Sequence, residues 1–374
     1  MKKSSTPPLL VVGHSGDLAD IRYGCGFTPV DPVLMLDTGR TQHLVVPLLE
    51  VGRARHEAPR ARVHTPMELD VPKDQRRQLS AWALALLNVT GHTAIRVGPF
   101  FPALVMQRLQ QAGVSVAIES SLVYPERVIK TDAEIACIRG VQRAAVAAMH
   151  AAVAEIRAAQ IDRRGFLIRH GKKLTAEAVK LTIELELMRH ACQGRDTIVA
   201  GGRQAADPHD RGAGPLRAGE TIVLDIFPQH KQHGYWGDIT RTVVKGPARP
   251  ELHRLYRTVL KAQLAALRMV KPGVRGDKIH DLVQAQFAAA GYFTGDREGL
   301  PVGFFHGTGH GVGLEIHEAP SLSTVPVRLR AGQVVTVEPG LYYPDLGGVR
   351  IEDTVVVTAG GAKLLCPCEK VFEL

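Results

Sequence analysis

Residues 304–318 read Phe-Phe-His-Gly-Thr-Gly-His-Gly-Val-Gly-Leu-Glu-Ile-His-Glu. Three histidines, His306, His310 and His317, stand among Gly307, Gly309, Gly311 and Gly313. Imidazole is both a proton carrier near neutral pH and a common metal ligand. His306 and His310 are four apart, which on a helix would put both on one face, as in a zinc-protease helix. Each glycine in a helix costs about 1 kcal/mol relative to Ala, so four within seven residues argue against one. The stretch reads instead as a kinked strand or loop whose backbone comes close to something bound. Its glycines do not follow G-x-G-x-x-G and no Lys-Ser/Thr comes after them, which disfavours a phosphate cradle.

Four acids in apolar settings complete the candidate chemistry. Asp225 ends the run Thr221-Ile-Val-Leu, and Asp238 opens the next, Ile239 to Val244. With a turn at Lys231 to Gly234, a hairpin here sets two carboxylates side by side. Ionised carboxylates in contact repel, so one must take a proton or both must share a cation. Glu338 follows Val334-Val-Thr-Val directly before Pro339-Gly340, and Glu352 reads as lying inside a strand between Ile351 and Val355–Val357. An acid inside an apolar strand needs a partner or a metal. Singly, these acids also read as a turn cap, a strand-edge acid and two surface acids. Four carboxylates with one imidazole suit a pair of hard or borderline divalent ions better than a single zinc. Two such ions, about 3.5–4 Å apart, activate water and polarise a carbonyl, so the set points to metal-assisted hydrolysis.

The elements that must hold these residues fall into two groups. Leu9–Val12, Val33–Asp37, His43–Val46, Thr93–Val97 and Val114–Ile118 read as strands, with a hairpin turn at Thr38-Gly-Arg-Thr. Residues 75–88 and 104–112 read as helices between them, the second ending at Gly113. The alternation predicts an α/β domain over residues 1–125. At Thr131 a capping box with Glu134 opens a long helix, on which Ile135, Ile138, Val141, Ala145 and Met149 recur at helical spacing. Leu174-Thr175-Ala176-Glu177 repeats the capping pattern for a second helix to about His190. Strands follow at 198–200, 221–225 and 239–244, then amphipathic helices at 250–270 and 275–290, parted by Pro272-Gly273. Strands at 334–338 and 349–357 flank a turn holding Pro344, Asp345, Gly347 and Gly348. Residues 126–374 thus read as a second, α+β domain with a largely antiparallel sheet.

Composition narrows the class. The 374 residues allow two domains, and 45% hydrophobic with 22% charged residues is ordinary for a globular protein. The net charge of +9 is spread, as at Arg53, Arg55, Arg60 and Arg62 and again at Arg163, Arg164, Lys172 and Lys173. No dense basic run with interleaved aromatics appears, which disfavours nucleic acid. The surplus offers some attraction for peptide carboxylates. The five cysteines, Cys25, Cys137, Cys192, Cys366 and Cys368, are scattered without C-x-x-C pairs, as incidental thiols in a reducing cytosol are. Leu9–Val12 is too short for a signal-peptide core, and no run approaches the ~18 apolar residues of a membrane span. The expectation is a cytoplasmic protein with no membrane partner.

The residues quoted above, with Gly234-Tyr-Trp-Gly-Asp-Ile-Thr-Arg-Thr242, Glu338-Pro-Gly340 and Arg350-Ile-Glu-Asp353, carry a resemblance to a known family. The chain resembles the M24-type "pita-bread" metallopeptidases, within them the Xaa-Pro aminopeptidase and prolidase (Xaa-Pro dipeptidase) branch. The resemblance is strong over 126–374, the pita-bread catalytic domain. Over 1–125 it is weaker, to a creatinase-like N-terminal domain. It implies Asp225, Asp238, His310, Glu338 and Glu352 as ligands of two divalent ions, with Asp238 and Glu352 bridging. Mn²⁺ is the first choice, and Zn²⁺ and Co²⁺ the alternatives. By the same resemblance Glu338 also shuttles the proton of the attacking water. His306 and His317 hold the substrate and the developing oxyanion or leaving nitrogen, His209 is a substrate-side histidine, and Arg350 orients acids or a substrate carboxylate. Proline-containing peptides or dipeptides are the implied substrates and a homodimer the implied assembly.

The chain departs from the branch at its first aspartate. Asp225-Ile-Phe-Pro228 replaces the usual Asp-x-Gly, and the turn to Asp238 is longer, which bears on the rim of the pocket. Other reactions on the same fold remain to be weighed: a creatinase-like or other small-amide hydrolase, a methionine aminopeptidase, or a non-catalytic peptide-binding relative. The creatinase group does without the ligand set, methionine aminopeptidases lack so large an N-terminal domain, and silent relatives lose ligands.

Overall fold

In the computed structural model, which describes residues 6–13, 19–120 and 123–374, the chain divides into two units, Met1–Arg127 and Val128–Leu374. The first unit is built on β1 (Leu9–Gly13), α1 (Ala19–Cys25), β2 (Val33–Asp37), β3 (Gln42–Val45), α2 (Val51–Glu57), β4 (Arg62–His64), α3 (Leu79–Thr90), β5 (Ala94–Val97), α4 (Ala103–Gln111) and β6 (Ser115–Ile118). Its strands form one six-stranded sheet in the order β4-β3-β2-β1-β5-β6. β1–β2 and β2–β3 pair antiparallel; β3–β4, β1–β5 and β5–β6 pair parallel. Alternation along β1 and β2 feeds both faces of the sheet. Leu10, Leu34 and Leu36 pack with Trp82, Leu86 and Leu109 of α3 and α4, while Leu9, Val33 and Met35 pack with Ile21 and Phe27. The helix expected from residue 75 starts only at Leu79, because Lys73–Gln75 is a 3₁₀ turn and Gln78 is extended.

The second unit opens with α5 (Asp132–Ala158), whose Thr131–Glu134 capping box is formed as the sequence pattern predicts. α6 (Ala176–Arg189) is capped by Thr175, but the pattern there is only half a capping box. Glu177 stands one residue too early to reach back and instead accepts from Gly214 N–H. A three-stranded antiparallel sheet follows from β7 (Ile198–Gly201), β8 (Thr221–Ile226) and β9 (Ile239–Val244), with β8 central. Two helices, α7 (Pro250–Met269) and α8 (Gly276–Ala289), precede a five-stranded sheet. That sheet runs β11-β10-β12-β15-β16, made of β10 (Gly309–Gly311), β11 (Glu318–Leu322), β12 (Val334–Val337), β15 (Asp353–Thr358) and β16 (Gly361–Leu364). A hairpin of β13 (Gly340–Tyr343) and β14 (Gly347–Arg350) lies between β12 and β15 in the chain.

Two expectations are corrected here. The stretch 349–357 is not one strand: it breaks at Ile351-Glu352 between β14 and β15, so Glu352 sits at a strand junction rather than inside a strand. Residues 227–238 are more than a hairpin turn, because Pro228–His230 leaves to pair with Cys192–Gly194. β8 and β9 still pair antiparallel, with Asp225 opposite Thr240 and Ile226 opposite Ile239. Leu252, Val259 and Ala266 of α7 and Val283 and Phe287 of α8 close one core of this unit against Val335, Val337 and Val355. A second core sets α5 and α6 against Ile222, Leu224, Ile239 and Val243.

Candidate metal centre

Strand registers decide where the four acids go. Asp225 faces Thr240 across the β8–β9 ladder, and Asp238 precedes Thr240 by two, so alternation puts all three on one face. In the other sheet Val337 pairs with Asp353, so Glu338 and Glu352 stand one step beyond the last pair of an antiparallel ladder, opposite each other. The two sheets are stitched at this edge: Glu352 N–H donates to Thr240 C=O at 3.1 Å, and Arg350 N–H to Thr242 Oγ1 at 3.0 Å. The four carboxylates thereby converge from two ladders.

The glycine stretch brings the imidazole. β10 has an irregular register between His310 and Gly311, the kinked strand its composition predicts. The close neighbour of its glycines is the backbone of the flanking strands. A Cβ on Gly309 would stand 2.0 Å from Thr336 O and one on Gly311 2.4 Å from Ala319 O, so only glycine lets β10 fit between β11 and β12. His310 Nδ1 donates to Gly311 C=O at 3.1 Å, which leaves Nε2 facing the acids, 3.3 Å from Glu338 Oε1 and 3.6 Å from Asp238 Oδ2. Ligand atoms of Asp238, His310 and Glu352 lie within 4.8 Å of one another.

The remaining contacts tie the group together. Thr240 Oγ1 lies 2.8 Å from Asp225 Oδ1 and 2.7 Å from Glu352 Oε2. Arg350 donates through Nη2 to Asp225 Oδ2 at 2.7 Å, through Nη1 to Tyr342 Oη at 2.9 Å, and through Nε to Thr240 Oγ1 at 3.4 Å. Tyr342 Oη in turn lies 2.9 Å from His306 Nε2, while His306 Nδ1 donates to Gly307 C=O at 2.7 Å. Both ring nitrogens of His306 are therefore engaged, as is each nitrogen of the Arg350 guanidinium. His317 lies edge-on to His310 at 4.3 Å between ring centroids, and no protein hydrogen bond to its ring is present among the described residues. His209 is exposed, on a turn where its N–H donates to Asp207, and its charge would lower the pKa of both His306 and His317.

Electrostatics tests whether these residues suit a metal. Burial first, then the Glu352 carboxylate, push Asp238 well above the usual carboxylate range. Burial, then Glu338 and Asp225, push Glu352 up to about 8. Burial raises Glu338 as well, but its hydrogen bond to His310 and the charges of His310, His306 and Arg350 together outweigh that and bring it to about 2. His310 moves the opposite way: burial lowers it, and Glu338 more than compensates, to about 9. Burial holds His306 and His317 below their ordinary value. Glu352 Oε1 is buried without a partner. A buried carboxylate oxygen with no donor, among acids that hold protons for want of positive charge, fits a cation site.

The catalytic-domain pattern is recognised independently. The model of metallopeptidase family M24 matches residues 136–359, and that span takes in every residue of the cluster. The chain belongs to metallopeptidase family M24. Among its relatives, an Xaa-Pro dipeptidase of Pyrococcus horikoshii is 29% identical over 99% of this chain and 95% of that protein. An Xaa-Pro dipeptidase of Pyrococcus furiosus is 36% identical over 65% of this chain and 64% of its own length. The prolidase structure from P. horikoshii superposes with a TM-score of 0.82, covering 99% of this chain and 96% of that one. An X-Pro aminopeptidase from Thermotoga maritima, 25% identical, gives 0.81 over 98% and 96%. This M24 chain has the pita-bread fold and is a metallopeptidase that uses divalent metal. Thr240 and Tyr342 escape a reading of the sequence, although Thr240 could have been found two residues from Asp238 on the same strand face.

Proposed function

We propose that this M24 metallopeptidase hydrolyses the Xaa-Pro bond, at the N-terminus of peptides or in dipeptides. The observation that carries the metal-centred part of this reading is the grouping of Asp238, His310 and Glu352 within 4.8 Å, with Glu338 beside His310, Asp225 joined to Glu352 through Thr240, and Glu352 Oε1 buried without a partner. Asp225, Asp238, His310, Glu338 and Glu352 would hold two divalent ions, Mn²⁺ first because carboxylates dominate the set. Four carboxylates face one permanent cation, Arg350, and two divalent ions offset the excess. When bound, such ions lower the pKa of water and polarise a carbonyl.

The chain's own residues do the rest. Glu338, ionised at neutral pH, accepts a proton from the attacking water and delivers it to the leaving proline nitrogen. His317, whose ring has no protein hydrogen bond among the described residues, donates to or accepts from the substrate, and exposed His209 stands on the same side. His306, tied through Tyr342 to Arg350, steadies this wall and reaches substrate only by giving up one bond. Of the two roles open to Arg350, the contacts favour orienting Asp225 over binding a substrate carboxylate. Residues 1–125 form the creatinase-like domain and 126–374 the catalytic one.

No helix among the described residues is long and apolar enough to cross a membrane. We read the protein as cytoplasmic, a homodimer, without nucleic-acid or membrane partners. The test is a metal-replete assay of Xaa-Pro dipeptides and tripeptides beside Met-Ala peptides and creatine. Selective cleavage before proline is expected. Turnover confined to creatine or Met-Ala would replace this reading with one of the others.

A further inference from the structure

Asp238 has a backbone problem that the strands do not solve. It is 5% exposed and lies just outside the β8–β9 ladder, whose last pair is Ile226 with Ile239. Its N–H and C=O are therefore buried with no strand partner, and such groups must find donors and acceptors elsewhere. Both find them on one side chain of α5. Gln142 Oε1 accepts from Asp238 N–H at 2.9 Å, and Gln142 Nε2 donates to Asp238 C=O at 2.7 Å. The amide thus does for Asp238 what a neighbouring strand residue would do. Thr354 Oγ1 adds a second donor to the same carbonyl at 2.7 Å.

The surroundings show that this contact is built. Eleven residues of α5 are buried, and Gln142 alone among them is polar. Gln142 is itself 1% exposed. The helix reaches Asp238 because residue 237 is glycine. A Cβ there would stand 2.9 Å from Gln142 N and 3.0 Å from Val141 C, both helix backbone.

We infer that Gln142 is a positioning residue for the metal centre: from α5 it fixes the backbone of Asp238 and so aims that carboxylate into the ligand cluster. This rests on the metal-centred reading above. Groups that orient metal ligands typically change affinity or activity by about 10–100-fold when removed.

The test titrates metal-free full-length protein with Mn²⁺ by calorimetry and follows unfolding of each variant in chelator. Gln142→Met keeps the volume and loses both hydrogen bonds. Thr354→Val removes one donor to the same carbonyl from a different element. Met149→Ala, farther along the buried face of α5, is the control for simple loss of packing. Gln142→Met is expected to bind Mn²⁺ about 10–100-fold more weakly, and Thr354→Val several-fold more weakly. Met149→Ala is expected to lower thermal stability with Mn²⁺ affinity unchanged. Should Gln142→Met fail to fold, Thr354→Val decides: parent-like Mn²⁺ affinity overturns the proposal and weakened affinity supports it. Parent-like affinity in folded Gln142→Met, with lowered thermal stability like that of Met149→Ala, overturns it outright. If the parent itself binds no Mn²⁺, the metal-centred reading fails, which is a different result.

Discussion

The two halves of the acidic cluster are built alike and charged differently. On one side Asp225 and Asp238 come from β8 and the edge of β9; on the other Glu338 and Glu352 come from the ends of β12 and β15. The aspartate side has a permanent cation, since Arg350 binds Asp225 at 2.7 Å. The glutamate side has a titratable one, since His310 lies 3.3 Å from Glu338. The lesson is in the protons. Glu338, next to His310, is held at about 2, while Glu352, opposite it in register, is pushed to about 8. Two chemically identical side chains on adjoining strands are separated by what faces them. Under the function proposed above, that separation leaves one carboxyl ionised to accept a proton while its neighbour holds one until a cation binds.

The sharpest way to break the comparison is to remove the proton acceptor. Glu338→Gln keeps shape and one oxygen but cannot take a proton. kcat on an Xaa-Pro peptide should fall by roughly two to four orders of magnitude while metal is retained. Metal analysis of the variant comes first, and activity within a factor of a few of the parent would reduce Glu338 to a ligand. Removing the permanent cation should act on stability. Arg350→Met leaves Asp225 buried without its counter-charge, and the metal-free protein should lose about 3–5 kcal/mol in urea unfolding. Added Mn²⁺ should recover part of that, since it supplies positive charge to the same carboxylate.

The titratable side makes a pH prediction. Glu352 and His310 both have folded pKa values above their ordinary ones, so the folded metal-free protein binds protons more tightly than the unfolded chain. Their contribution to stability is present at low pH and is lost as pH rises, from about 4.5 to 8 for Glu352 and from about 6.5 to 9 for His310. Glu338, lowered to about 2, works oppositely and only below about 4.5. His306 and His317, held below their ordinary value, also work oppositely up to about 6.5, so chemical unfolding in chelator should show stability falling between pH 6.5 and 9, and saturating Mn²⁺ should flatten the slope. The smallest expected effect is Tyr342→Phe, which removes the hydroxyl between Arg350 and His306 and should cost about 1–3 kcal/mol, read by thermal unfolding.

Much of this was legible in the sequence because local rules set it. The Thr131–Glu134 box, the apolar runs of β8 and β9 and the glycines of β10 each carry their own signal. What was hidden depended on register. Glu352 reads as a residue inside a strand because β-branched residues run from Val349 to Val357 on both sides of it, and only pairing shows the break that turns Glu352 toward Glu338. Tyr342 and Gln142 reach the cluster over distances no local pattern encodes: Tyr342 meets His306, thirty-six residues away, and Gln142 meets Asp238, ninety-six away. Gly309 and Gly311 make room for the backbone of β12 and β11, which composition alone does not distinguish from room for a ligand.

The most direct test of the account is the metal itself. Protein stripped with chelator and dialysed against excess Mn²⁺ should bind close to two ions per chain and regain Xaa-Pro hydrolysis in step with occupancy. Full Xaa-Pro hydrolysis by protein that holds no divalent ion would contradict it.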